Sequence, residues 1–160
     1  MNLLVVLASP PTTTGQRTLS RLTSLPAVVP CSVVSVANLY ANPARDLPAL
    51  SLVGGKVDGW LEAREQLRHE LASCDEMMAA WGLLALTGTA RQHRSDQVRW
   101  LLELAAQQGH TQVWTIGGQP RHPSRWHQYV SDVHGRTQGG SFEDRLREVL
   151  VQVPLSSLTS

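Results

Sequence analysis

Four short apolar runs, each halted by turn-forming residues and followed by a stretch of helical periodicity, constrain this chain more than any other feature. Leu3 to Ala8 is apolar throughout and stops at Ser9-Pro10-Pro11, as a buried strand ended by prolines would. Cys31 to Ala37 contains Ser-Val-Val-Ser-Val and delivers Asn38. Glu76 to Ala80 ends at Trp81-Gly82, and Gln112 to Ile116 is broken by Gly117-Gly118. Between these runs lie amphipathic stretches: Thr14 to Leu25 with Thr14 as N-cap, Val57 to Ser73, and Thr89 to Gln108 closed by Gly109. Phe142 to Val151 reads as a final helix, and Ala41 to Gly55, rich in proline and glycine, reads as a loop. Strands alternating with helices imply a parallel sheet covered on both faces. The expected fold is therefore α/β, a three-layer α/β/α arrangement with a central four-stranded parallel sheet. A single domain spans residues 1–154, with 155–160 as a polar tail; 160 residues are enough for one core.

In open parallel sheets, functional groups collect in the crevice beyond the carboxyl ends of the strands. The four strand ends here carry Ser-Pro-Pro, Asn-Leu-Tyr, Trp-Gly and Gly-Gln-Pro-Arg-His-Pro-Ser, and they are expected to converge on one cleft. The last of these, Gly118 to Ser124, is the most informative. Its two prolines bracket Arg121-His122 and hold the histidine on a rigid turn. A rigid imidazole beyond a strand end suits either stabilisation of developing charge or a capping role.

Charge adds a local signal. The formal net charge is only +1, too small for a protein that coats nucleic acid. Between Arg91 and Arg136, however, six arginines face three acids, and five of the six histidines fall there. Such a basic face fits phosphate contacts and equally fits solvated helix surface. The two cysteines, Cys31 and Cys74, supply neither a disulfide framework nor a metal ligand set and read as small apolar side chains. No apolar run is long enough for a membrane span or a signal peptide. The default expectation is a cytoplasmic monomer with no membrane association.

Taken in order, the strand ends resemble the uracil-DNA glycosylase superfamily. Ala8-Ser9-Pro10 is similar to its water-activating motif, an acidic or amide residue followed by proline. Val34 to Asn38 resembles the strand whose terminal asparagine reads the flipped base. Ala79-Ala80-Trp81-Gly82 resembles the Leu-Trp-Gly strand end, and His122-Pro123-Ser124 matches the His-Pro-Ser motif of the leaving-group loop. A nearer resemblance, over about residues 3 to 130, is to a family of uncharacterised bacterial and phage proteins. That family shares Asn-Pro-Ser-Thr, Asn-Leu-Phe or Asn-Leu-Tyr, Ala-Trp-Gly and Gly-x-Pro-Arg-His-Pro, and it carries no function by itself.

The superfamily resemblance implies excision of a base from DNA, with the target nucleotide extruded into a pocket and no cofactor or metal. His122 would donate a hydrogen bond to the departing base anion, a contribution of about 3 kcal/mol for a preorganised donor. Asn38 would read the base edge. Tyr40 and Trp81 would stack on the base, beside Pro10 and Pro11. Arg125 or Trp126 would fill the gap left in the stack, and Arg91, Arg121 and Ser124 would contact DNA. Two departures from the pattern matter. Ser9 stands where Asp or Asn is usual; a serine can position water but is a poor base, so the reaction relies on leaving-group stabilisation, or a carboxylate such as Asp46 assists, or the domain binds without catalysing. Pro11 stands where a tyrosine normally excludes 5-substituted bases, which implies a base larger than uracil, such as a hydroxymethylated or glucosylated pyrimidine of phage DNA. Such a substrate places the protein in repair, phage defence or phage DNA remodelling.

Other constellations carry less. His122, His127 and His134 have spacings that fit no common metal-ligand pair. No phosphate-binding glycine loop is present. A Ser9–His122 hydrolase dyad lacks the nucleophile elbow that exposes a catalytic serine. The alternative of a different class is a non-catalytic module that binds nucleic acid or a nucleoside in the same cleft.

Overall fold

Alternating side chains of the first apolar run face opposite ways in β1 (Asn2–Leu7) and bury on both sides. The structure, a computed structural model, describes residues 1–130 and 140–158. Leu4 and Val6 pack on one face with Leu67, Leu71, Leu101 and Ala105, from α3 (Asp58–Ser73) and α4 (Gly88–Gln107). Leu3, Val5 and Leu7 pack on the other with Leu22, Trp126 and Leu146. Leu22 ends α1 (Gln16–Leu22), and Leu146 belongs to α6 (Phe142–Val149). Helices thus cover both faces, and each fully buried leucine contributes about 2 kcal/mol.

β1 is flanked by β2 (Val33–Asn38) and β3 (Glu76–Ala79), both parallel to it, with β4 (Gln112–Ile116) parallel beyond β3. The register pairs Leu7 with Asn38 and Val6 with Ala79, so these three strands leave the sheet at one level.

The sheet has five strands, in the order β2-β1-β3-β4-β5, rather than the expected four. The final helix stops at Val149, and β5 (Leu150–Pro154) runs antiparallel to β4. Leu-Val-Gln-Val-Pro has no clean alternation, and its apolar start beside an amphipathic helix hides the switch to a strand. The residues after it are not a free tail: Leu155 is buried, and Leu155–Leu158 form a 3₁₀ turn. Residues 159 and 160 lie outside the described residues.

Two further boundaries moved for local reasons. The stretch expected as a loop holds α2 (Leu47–Val53), because Asp46 caps it, accepting from the Ala49 N–H at 2.9 Å. Pro48 lies in the first turn of α2, where no N–H is needed. At α1 the cap is Gly15, at φ +66°, rather than Thr14. A short α5 (His127–Val130) follows the β4 loop. No helix among the described residues is long and apolar enough to cross a membrane.

Candidate functional site

The chain runs from β1 outward to β2, then returns across the sheet to add β3 on the other side of β1. Loops leaving β1 and β3 therefore diverge, and a crevice opens between them. A cavity of about 930 Å³ lies there. Ser9 and Pro11 border it from the end of β1, Asn38 from β2, Trp81 and Gly82 from β3, and His122 from the loop after β4. The expected convergence of four strand ends on one cleft is present.

The β4 loop is braced internally. Gly82 N–H donates to the Pro120 carbonyl at 2.7 Å, which joins it to the β3 exit. Trp126 donates its indole N–H to the Arg121 carbonyl at 2.9 Å, and Arg125 N–H donates to the His122 carbonyl at 2.9 Å. The Ser124 backbone N–H donates to His122 Nδ1 at 3.2 Å, and the Ser124 hydroxyl lies 2.9 Å from the same nitrogen. A nitrogen that accepts from a backbone N–H carries no proton, so the neutral ring holds its proton on Nε2. Burial, and then the nearby Arg125 charge, push the His122 pKa below its ordinary value. At neutral pH the ring is an uncharged donor through Nε2.

Asn38 adds a second polar group. Its Oδ1 is buried and has no hydrogen-bond partner among the described residues. An orphaned buried acceptor costs about 1–3 kcal/mol. The acceptor sits at the end of a strand that otherwise pairs fully with β1.

Ser9 borders the cavity, and its turn contributes no carboxylate to the lining. Asp46 also borders the cavity, but its carboxylate is already engaged. Oδ1 caps α2, and Oδ2 lies 3.4 Å from Arg45 Nε. Arg45, Arg121 and Arg125 border the same space, so the charge around it is predominantly positive.

Several expected participants sit elsewhere. Tyr40 is buried in the core, edge-on to Trp60 at 5.0 Å, with its hydroxyl donating to the Val53 carbonyl. A Cβ at position 59 would collide with its ring, so Gly59 makes room for it there. Tyr40 does not border the cavity and offers no stacking surface. Trp126 is fully buried beneath the β4 loop, which removes it as a group that enters DNA. The Pro10 carbonyl accepts from Ala44 N–H, and Pro10 is not among the lining residues. Arg91 is exposed on α4, away from the cavity wall. Trp81 both borders the cavity and packs in the core at 4% exposure. Arg121, Ser124 and Arg125 border the cavity as expected. Among the described residues, no group of three His, Cys, Asp or Glu is disposed to hold a metal; His134 lies outside them.

Sequence reasoning missed Arg94, Leu83 and Leu84. Arg94 donates to the Leu84 carbonyl at 2.8 Å and to the Gly82 carbonyl at 2.6 Å, fastening the β3–α4 loop to α4. Its role depends on a fold-back across 10 and 12 residues, which no periodicity reports.

The family model described as "Protein of unknown function (DUF1643)" matches residues 2–124. The chain belongs to this family. The matched span begins with β1 and ends at Ser124, so it encloses all four strand exits that border the cavity. No curated protein and no solved structure matches the chain.

Proposed function

We propose that this protein is a DNA glycosylase of the uracil-DNA glycosylase type, which flips a bulky 5-modified pyrimidine out of DNA and hydrolyses its N-glycosidic bond. The observation that carries this reading is the pairing, around one cavity, of a neutral, half-buried His122 with an Asn38 Oδ1 that has no partner among the described residues. An extruded pyrimidine presents a donor for that acceptor. As the C1′–N bond breaks, its electron pair passes to the base, and the resulting oxyanion accepts from His122 Nε2–H. Water positioned beside Ser9 adds to the oxocarbenium-like C1′ and gives up a proton to solvent while the base anion takes one up, leaving an abasic site and the neutral free base. A serine is a weak base, so stabilisation of the leaving group carries most of the rate.

Two observations favour a large base. The cavity, about 930 Å³, lies near the upper end of the roughly 300–1,000 Å³ range of ligand pockets, and Pro11 rather than a bulky aromatic borders it from the β1 exit. The arginines around it favour a substrate that carries phosphate. One observation favours a second reading, a binding module on the same fold. Asp46 is the one carboxylate among the described residues that line the cavity, and it is occupied as a helix cap.

The test uses duplexes that carry uracil, 5-hydroxymethylated or glucosylated pyrimidines, followed by alkaline cleavage of abasic sites. His122→Ala abolishes base release and leaves duplex affinity within about twofold, since the lost bond forms in the transition state. Release should hold down to pH 6.5, the ordinary imidazole value, and fall only at more acidic pH where the buried ring finally charges. Because the unfolded ring takes up that proton more readily, stability also falls as pH drops below 6.5. Release of uracil alone refutes the bulky-base assignment. Binding without release from any duplex favours the binding module.

A further inference from the structure

The bonds around the His122 ring fix it within its own loop, and a second set of contacts fixes that loop against the sheet. Its backbone link to the β3 exit is the Gly82 N–H, which donates to the Pro120 carbonyl at 2.7 Å. A Cβ on Gly82 would stand 3.7 Å from His122 Cβ, so the two loops touch beside the imidazole. Gly82 lies at φ +92°, a conformation that side chains resist. The place of His122 over the cavity follows wherever the Gly82 peptide is put.

Arg94, in the second turn of α4, holds that peptide. One guanidinium nitrogen donates to the Gly82 carbonyl at 2.6 Å, and the other donates to the Leu84 carbonyl at 2.8 Å. Gly82 is thus gripped on both sides of its Cα, by Pro120 through its N–H and by Arg94 through its carbonyl. Burial pushes the Arg94 pKa below the ordinary arginine value. Among the described residues, no carboxylate pairs with this guanidinium. A cation drawn out of water with no acid opposite costs stability, and an apolar side chain on this face would avoid the cost. What arginine adds is a rigid fork that spans two carbonyls at once.

We propose that Arg94 is a positioning residue for His122: by fixing the Gly82 peptide, it sets where the loop after β4 and its imidazole stand over the cavity. The inference rests on the glycosylase reading only for the reaction that His122 serves, and the clamp itself is read on the ring directly.

The full-length chain, labelled with ¹⁵N at histidine, reports the His122 tautomer and titration by NMR, with His122→Ala assigning the signals. Wild type carries the proton on Nε2 and titrates below 6.5, the ordinary imidazole value. Arg94→Lys keeps the charge but offers one nitrogen to two carbonyls. Gly82→Ala strains the same peptide and leaves every charge in place. Both variants bring the midpoint back toward 6.5 and mix the tautomers. Neither removes a charged group that shares the cavity with the ring, namely Arg45, Asp46, Arg121 or Arg125. In the base-release assay, Arg94→Lys lowers kcat about 10- to 100-fold and leaves KM within about twofold, as a displaced donor would. Asp75→Ala, at the far end of the sheet, controls for general destabilisation and leaves ring and rate as in wild type. The clamp is overturned if either variant, folded by circular dichroism, keeps the wild-type tautomer and midpoint. It is also overturned if Arg94→Lys does not fold, which would make the arginine a prop of the fold. Base release with kcat unaltered in Arg94→Lys removes the positioning role alone. A displaced ring in both variants, with no base released by wild type from any duplex, removes the glycosylase reading alone.

Discussion

The two ends of the sheet are built from the same strands and treated in opposite ways. At the amino ends, polar groups are closed off in pairs. Asp75 N–H donates to the Asn2 carbonyl while Asn2 N–H donates to the Asp75 carboxylate, and Ser32 N–H donates to the Met1 carbonyl. At the carboxyl ends, the loops spread around a cavity, and Asn38 Oδ1 is left without a partner. One end is finished for stability, and the other keeps an unmet hydrogen-bonding demand that a ligand can meet. The contrast is between functions of the same backbone, since the parallel register is continuous from one end to the other.

The sharpest way to break the contrast is through a buried residue of α4 that fastens the open end from beneath. Gln97 is buried at 1% exposure and donates to the carbonyls of Leu39 and Trp60, while its own oxygen accepts from Arg64 Nε. Gln97→Leu leaves these groups bare and should lower unfolding free energy by about 3 kcal/mol, read by chemical denaturation. A loss under about 1 kcal/mol would mean that the cavity end is held by the loops themselves.

A smaller effect belongs to the closed end. Asp75→Ala removes one of the two reciprocal bonds at an exposed position and should cost about 1 kcal/mol, with ligand or DNA binding untouched. Any change in binding would show that the two ends communicate through β1 and β3.

The smallest effect on stability is expected at Asn38, where Asn38→Leu should leave the melting temperature level or slightly raised. It removes an acceptor that lacks a partner and fills the space with apolar atoms. Base release or nucleoside binding should nevertheless disappear. A clear destabilisation would indicate that the asparagine amide serves the fold, and the contrast between the ends would weaken.

The strand exits were legible in the sequence because each ends in residues with hard local rules. Ser9-Pro10-Pro11 must stop a strand, and His122 between Pro120 and Pro123 must sit on a stiff turn. The fate of individual side chains was not legible. Tyr40 and Asn38 lie two residues apart, yet one enters the core against Trp60 and the other borders the cavity. Gly59, 19 positions after Tyr40, opens the core space for its ring, and no local pattern reports that. Trp126 is similar: the superfamily resemblance cast it as a group that enters DNA, whereas its indole N–H satisfies the Arg121 carbonyl from inside. β5 was hidden because a helix passes directly into it without a breaker.

That last strand has a consequence for how the molecule behaves in company. Without β5, one whole side of β4 would present bare amide and carbonyl groups, a ready template for another chain to add to. Gln112 to Ile116 is paired along its length by Leu150 to Pro154, and the Leu155 N–H extends the seal to the Thr111 carbonyl. The covering strand lies outside the span matched by the family model, and it takes over as the edge of the sheet, five residues long and closed by Pro154, which has no N–H to offer another chain.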